Sequence, residues 1–238
     1  MNLVIMGNGA MGKIAGELAE EYPDIDTVET LEPRNGESLF DLRMRPDVII
    51  DFSHPDVLSE ICDYLKLQGG QTGVVFATTG FSETDLECIQ KLSNCVPVIQ
   101  SYNYSFGVNA MKRLLHMAVS LLQNHADIEI IEKHHRKKVD APSGTALMLA
   151  DICNAQKEHI LLYGRHGEMH RRNEIGMHSV RGGTIFGEHT VLFALEDEVI
   201  EVRHTAFSKK IFAKGAIEAA LWLNGKKAGI YPLEQVFY

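Results

Sequence analysis

The sequence predicts an α/β protein: a doubly wound parallel sheet, then a second, α+β domain on an open mixed sheet. Three observations carry this prediction. Short apolar runs alternate with helical periods over roughly the first hundred residues, the pattern of strands covered on both faces. The first run passes directly into GNGAMG at residues 7–12 and then into a helix. Beyond an amphipathic helix at 107–122, longer strands joined by polar turns replace the alternation, which marks a second domain.

The opening strand, residues 3–6, leads into Gly7, Asn8, Gly9, Ala10, Met11 and Gly12. Gly7 suits the tight turn, Gly9 lets backbone approach a pyrophosphate, and Gly12 lets helix pack on strand. Met11, Ile14, Ala15, Leu18 and Ala19 form the apolar side of the helix. A second strand, 27–31, ends at Glu32, about 20 residues past the glycines, where an acid meets adenosine ribose hydroxyls. These are the marks of a Rossmann-type nucleotide-binding domain; the alternative is a glycine turn in another α/β protein. Further strands follow at 48–52, 73–77 and 96–100, with helices at 56–67 and up to Leu92, the latter with Thr84 and Glu87 as a capping box. Ligands lie beyond the carboxyl ends of such strands. The residues there are Phe52-Ser53, Ala77, Thr78, Thr79, Gly80, Ser101, Tyr102, Asn103 and Tyr104.

In the second domain a strand from Asp127 runs into the basic stretch KHHRKK at 133–138, and then into DAPSGT at 140–145. Pro142 biases Ala141 away from helix, and Ser143 is a candidate N-cap for a helix to about residue 153. The Gly144 and Thr145 amides then sit at the positive end of that helix. Two histidines, lysines and a helix N-terminus suit a small substrate with carboxylates and a proton to exchange; a solvated basic hairpin tip is the plain alternative. Residues 163–178, rich in Gly, Arg and His, are expected as a long loop, and 179–184 as a loop with Arg181 able to contact an anion. Long antiparallel-type strands follow at 184–194 and 199–205. A last helix buries Ile211, Phe212, Ala216, Ala219, Ala220 and Leu223.

The chain has 238 residues, 45% hydrophobic and 23% charged, enough for one large domain or two modest ones. A net charge of -9 argues against general nucleic-acid binding. Four cysteines without CxxC spacing fit reduced core thiols. No apolar run reaches membrane-spanning length, and the chain enters its first strand at once without a signal peptide, so a cytoplasmic location is expected. His166 and His170 have i,i+4 spacing but a loop composition, and His134 and His135 face opposite sides of an extended chain. No metal site is predicted.

These motifs carry a resemblance. EKHHRKKVDAPSGTA, with ATTGF, SYNYSFGVN and SVRGGTIFGEH, resembles the 4-hydroxy-tetrahydrodipicolinate reductase (dihydrodipicolinate reductase) family over essentially the whole chain. The resemblance implies a nucleotide domain at 1–104 and 215–238 and a substrate and tetramerisation domain at 105–214, in a homotetramer. It implies reduction of a small cyclic dicarboxylate in lysine and diaminopimelate synthesis, with NADH and/or NADPH as hydride source. His134 corresponds to the proton donor/acceptor and Lys138 to the proton donor. His135, Gly144 and Thr145 correspond to substrate-carboxylate ligands. Gly7 to Gly12, Glu32, Ala77 to Thr79 and Ser101 to Tyr104 fall where the family binds nucleotide. Pro33 stands where members that favour NADPH often carry a basic residue, with Arg34 one later, and Ala77 replaces a common glycine. Other readings consistent with the residues are a dehydrogenase for a different small acid, or a non-catalytic dinucleotide sensor.

Overall fold

The computed structural model describes residues 1–238 and divides into two compact units: Met1–Phe106 with Lys209–Tyr238, and Gly107–Ser208. The first is built on six parallel strands: β1 (Asn2–Met6), β2 (Thr27–Leu31), β3 (Val48–Asp51), β4 (Gly73–Phe76), β5 (Pro97–Gln100) and β11 (Gly229–Ile230). Their spatial order is β11-β5-β4-β3-β1-β2. The chain steps from β1 out to β2, then back across to β3, so the direction of winding reverses between β1 and β3. In open parallel sheets ligands bind at such a switch point, beyond the carboxyl ends.

The strands are apolar throughout because both faces are covered. Leu3, Ile5, Val48, Ile50, Val75 and Ile99 pack with α1 (Ala10–Ala19) and α6 (Lys210–Leu223), through Ala15, Ala19, Ala216, Ile217 and Leu223. Val4, Met6, Ile49, Val74, Phe76 and Val98 face the opposite way, onto α2 (Leu58–Leu67) and α3 (Glu83–Leu92). The small alanines of α1 and α6 allow the two helices to lie close together. The N-cap of α3 is Ser82, two residues earlier than Thr84. Ser82 Oγ accepts from the Asp85 amide (3.2 Å), and the Asp85 carboxylate accepts from the Ser82 amide (2.9 Å). The box is therefore S-x-x-D, and the upstream serine outcompetes the threonine within the helix.

The second unit is a five-stranded mixed sheet with order β10-β9-β6-β8-β7. Its strands are β6 (Asp127–His134), β7 (Ile160–Tyr163), β8 (Glu174–Arg181), β9 (Gly187–Ala194) and β10 (Val199–Ala206). Strands β6, β8 and β7 run parallel; β9 is antiparallel to β6 and β10. The helices α4 (Phe106–Leu122) and α5 (Gly144–Cys153) cover one face, with Met111, Leu115, Ala146, Leu149 and Ala150 on Ile128, Ile130, Ile175, Met177, Val191 and Phe193.

Two expectations change here. The predicted loop at 163–178 contains the end of β7 and the first half of β8. Its strand signal, Ile175 and Met177 in alternation, is masked by polar neighbours that the fold satisfies: Glu174 pairs with Arg165, and His178 Nε2 lies 2.7 Å from Glu129. Gly176 leaves room for the Glu129 carboxylate, which an added Cβ would push from its place beside His178 and Arg171. Arg181 is accordingly the last residue of a strand and not part of a loose loop.

Candidate functional site

Two constellations stand out, one in each unit. In the first, the glycine turn behaves as its spacing predicts. Gly7 sits at φ +96°, and a Cβ on it would press the Phe52 carbonyl. A Cβ on Gly12 would lie 1.7 Å from the Gly7 carbonyl oxygen. A Cβ on Gly9, the N-cap of α1, would meet nothing within 4 Å. That open space lies against the exposed amide end of a helix, which fits a diphosphate. Asn8, Ala10 and Met11 are at the same end, the first two exposed. Glu32 closes the turn from β2: its carboxylate accepts from the Asn8 amide (2.8 Å) and the Arg34 amide (3.2 Å).

The other residues proposed for nucleotide contact fall at carboxyl ends of β4 and β5, in different roles. Thr79 and Tyr102 are exposed, and Ala77 and Ser101 half-buried. Thr78 is buried and donates to the Asp51 carbonyl (3.3 Å). Asn103 accepts from Ser105 N–H (2.9 Å) and rigidifies the turn before α4. Tyr104 is a core residue: its hydroxyl donates to the Phe76 carbonyl (2.8 Å), and its backbone leaves room only for a glycine at Gly215. The Tyr104 ring therefore has no face left for a ligand. Asp51, at the end of β3, is fully buried; burial raises its pKa, against hydrogen bonds from Ser53.

The second constellation sits at the carboxyl end of β6. Alternation on this strand points Ile128, Ile130, Glu132 and His134 to the helix-covered face, so the apolar stripe ends in a buried acid and a buried imidazole. His134 Nδ1 lies 2.5 Å from Glu132 Oε2. Arg181, across from His134 on β8, grips Glu132 with both terminal nitrogens at 2.8 and 2.7 Å. The Ser143 amide donates to the same carboxylate (3.3 Å). Burial alone would raise the Glu132 pKa, but hydrogen bonds from Arg181, Ser179 and His134 outweigh it and hold the carboxyl at about 2. Burial pushes His134 below the ordinary histidine value, with Lys138 and Arg181 acting the same way and Glu132 opposing.

The loop after β6 is fixed at its base. Gly182 N–H donates to the His134 carbonyl (2.9 Å) and Arg136 N–H to the Gly183 carbonyl (3.3 Å). His135 turns away from His134, with a buried Nδ1 that has no partner. Lys138 Nζ pairs with Asp140 (2.8 Å). Ser143 caps α5 as expected, its hydroxyl accepting from the Ala146 amide (3.2 Å). Gly144 is exposed at the first position of α5, and Thr145 follows, half-buried. The same Ser143 hydroxyl meets His189 Nε2 on β9 (2.9 Å), and the His189 ring stands edge-on to His134 at 5.2 Å.

The structure thus brings His134, His135, Lys138, Gly144 and Thr145 onto one strand end, one turn and one helix start. No group of three or more His, Cys, Asp or Glu side chains is arranged to hold a metal. Sequence reasoning passed over Glu132 and His189, and gave Arg181 no partner. The signal for Glu132 was present, since i,i+2 parity puts it on the face of His134. His189 is set by strand pairing and has no such local signal.

Comparison with known proteins adds the following. The family model described as dihydrodipicolinate reductase, N-terminus, matches residues 1–104, and that described as dihydrodipicolinate reductase, C-terminus, matches residues 107–237. A 4-hydroxy-tetrahydrodipicolinate reductase of Exiguobacterium sibiricum is 48% identical, covering 100% of this chain and 96% of its own length. One of Caldanaerobacter subterraneus subsp. tengcongensis is 40% identical, over 99% and 98%. Among solved structures, the dipicolinate-bound dihydrodipicolinate reductase of Paenisporosarcina sp. TG-14 has a TM-score of 0.75 at 21% identity, over 98% of this chain and 97% of that one, a likeness of fold.

Proposed function

The chain belongs to the dihydrodipicolinate reductase family, and from that premise we propose that it reduces 4-hydroxy-tetrahydrodipicolinate to tetrahydrodipicolinate with NADH or NADPH. The observation that carries the proposal is the full-length match to both halves of the family, joined to a cluster of proton-handling residues at the end of β6. The nicotinamide supplies hydride when bound. This chain's residues do the rest.

In the first unit, the open space at Gly9 and the amides of α1 support a diphosphate site, with Glu32 shaping the turn. Glu32 repels a 2′-phosphate and the exposed Arg34 attracts one, so both nucleotides are expected to serve. In the second unit, His135 and the Gly144 and Thr145 amides take the substrate carboxylates. Once the substrate has lost its 4-hydroxyl as water, adding hydride to the resulting conjugated imine leaves an electron-rich centre that needs a proton, and Lys138 delivers it, with His134 as donor/acceptor. Lys138 is held ready by Asp140, an ion pair that an incoming carboxylate can replace.

Two further parts of the proposal concern setting. The face of the second sheet opposite α4 and α5 exposes Val180 and Val199 beside ion pairs such as Lys133–Glu188, which supports a homotetramer assembled through this sheet. No helix is long and apolar enough to cross a membrane; a cytoplasmic enzyme of lysine and diaminopimelate synthesis is proposed.

The test generates the unstable substrate in the cuvette with the aldolase-type synthase and follows oxidation of each nucleotide. Synthase-dependent oxidation, blocked by pyridine-2,6-dicarboxylate, is expected. Lys138→Ala should lower turnover by about 100-fold or more, in the range of general acid catalysis, with nucleotide binding intact. Wild-type turnover in that variant would refute the assigned role. Nucleotide binding without any oxidation would favour a sensor.

A further inference from the structure

We propose that Glu132 is a positioning residue that holds His134 in the tautomer protonated at Nδ1, and that Arg181 locks Glu132 in that task. This rests on the reading of His134 as a proton-transfer group. A carboxylate can only accept hydrogen bonds, so the ring nitrogen facing Glu132 carries the hydrogen. His134 is then left with Nε2 for a reactant. Whether it gives or takes a proton, it does so at that atom.

Three observations support the assignment. First, the carboxylate cannot rotate away: Oε2 faces His134 (2.5 Å) and one Arg181 nitrogen (2.8 Å), while Oε1 takes the other Arg181 nitrogen (2.7 Å) and the Ser143 amide (3.3 Å). Second, the space at Nε2 is kept clear. Gly187 on β9 lies beside the ring, and a Cβ there would come within 3.2 Å of Nε2 and 3.4 Å of Cδ2. Third, the clamp reaches the other proton-handling side chain. The Arg181 nitrogen that binds Oε1 also donates to the Asp140 carbonyl (2.5 Å), and Asp140 holds Lys138. One guanidinium therefore sets both the imidazole and the turn that carries the lysine.

A purely structural ion pair between β6 and β8 would need the Arg181–Glu132 fork alone. It would not require the second oxygen to be shared with an imidazole, nor a glycine opposite Nε2. In Glu132→Gln the two roles come apart. Arg181 draws the amide oxygen towards itself, so the side-chain NH2 is turned to His134, and Nδ1 must become an acceptor. The neutral ring then carries its hydrogen on Nε2.

The experiment is long-range proton–nitrogen NMR on full-length protein labelled at histidine nitrogen, at about pH 8 so that an ordinary histidine is neutral. His134 is assigned by loss of its signals in His134→Asn. The wild type is expected to show hydrogen on Nδ1, and Glu132→Gln to show it on Nε2. In the coupled assay Glu132→Gln should lose about 100-fold in kcat with KM changed less than about threefold, as orienting partners of a reacting imidazole do. The acid limb of its pH–rate profile should move as well. Wild-type His134 protonated on Nε2 would overturn the inference even if Glu132→Gln does not fold. So would a Glu132→Gln enzyme with an unmoved pH profile and near-normal kcat. The tautomer is read without substrate, so an Nδ1-protonated ring in a chain lacking reductase activity would sink the proposed function and leave the positioning intact.

Discussion

His189 makes the stability of the second unit depend on pH in a way that one substitution should remove. The ring is buried, its Nε2 engaged by Ser143 and its Nδ1 without a partner. Burial first, then the charges of His134, His204 and Lys138, lower its pKa from 6.5 to about 4, with only Glu132 opposing. The folded value lies below the unfolded one, so the native chain binds fewer protons in between. The associated stability is complete above about pH 6.5 and is lost as pH falls through about 4. A tenfold change in proton affinity is worth ~1.4 kcal/mol, so the loss is about 3 kcal/mol, a large part of the roughly 5–15 kcal/mol that a domain usually has. His189→Gln keeps a hydrogen-bonding group for Ser143 but cannot titrate. Urea unfolding at several pH values between about 7 and 4 should show the wild type losing about 3 kcal/mol more than the variant. Parallel curves for the two proteins would refute the reasoning, because some other group would then be taking up the proton.

The glycine turn and the nucleotide preference give two further tests. Gly9→Ala should leave thermal stability nearly unchanged, since its Cβ meets no atom, yet weaken nucleotide binding about tenfold or more by filling the diphosphate space. Gly12→Ala should cost about 1–3 kcal/mol through overpacking, because its Cβ would overlap the Gly7 carbonyl oxygen; melting temperature and nucleotide fluorescence titration separate the two. Arg34→Ala should raise KM for NADPH several-fold and leave KM for NADH within about twofold, a pattern of lost uniform binding. Equal effects on both would show that Arg34 does not meet the 2′-phosphate.

What could be read from the sequence follows physical range. The glycine turn and the N-cap Ser143 are local devices, decided within a few residues by backbone sterics and free amides, and each took the predicted conformation. Strand β8 was not legible because its alternation is carried by only Ile175 and Met177. Its polar residues find partners on Arg165, in the loop before the strand, and on Glu129 and Glu132, which are remote in sequence. Tyr104 illustrates the reverse: a polar-looking residue in a ligand-facing motif whose hydroxyl serves two backbone carbonyls in the core. The motif KHHRKK is conspicuous as charge, yet Arg136 and Lys137 are solvated, and the groups that organise the site are Glu132, Arg181 and His189 around it.

The two groups proposed to move protons are held in opposite ways, and that difference has a physical logic. His134 belongs to a strand, is nine-tenths buried, and is oriented by a carboxylate whose oxygens are all occupied. Moving it would break its hydrogen bond to Glu132 and leave that buried carboxylate short of a partner, which is expensive in a water-poor setting. Lys138 sits in a turn with almost no core of its own: Val139 beside it is 97% exposed. Its partner Asp140 is 60% exposed, so exchanging that ion pair for another carboxylate costs little. Substrate can therefore recruit the lysine by replacing Asp140, while the imidazole stays where β6 and Glu132 put it. Arg181 reconciles the two demands. It commits its fork to Glu132 and adds a bond to the Asp140 carbonyl, which anchors the backbone of the turn and leaves the Lys138 side chain free to change partners.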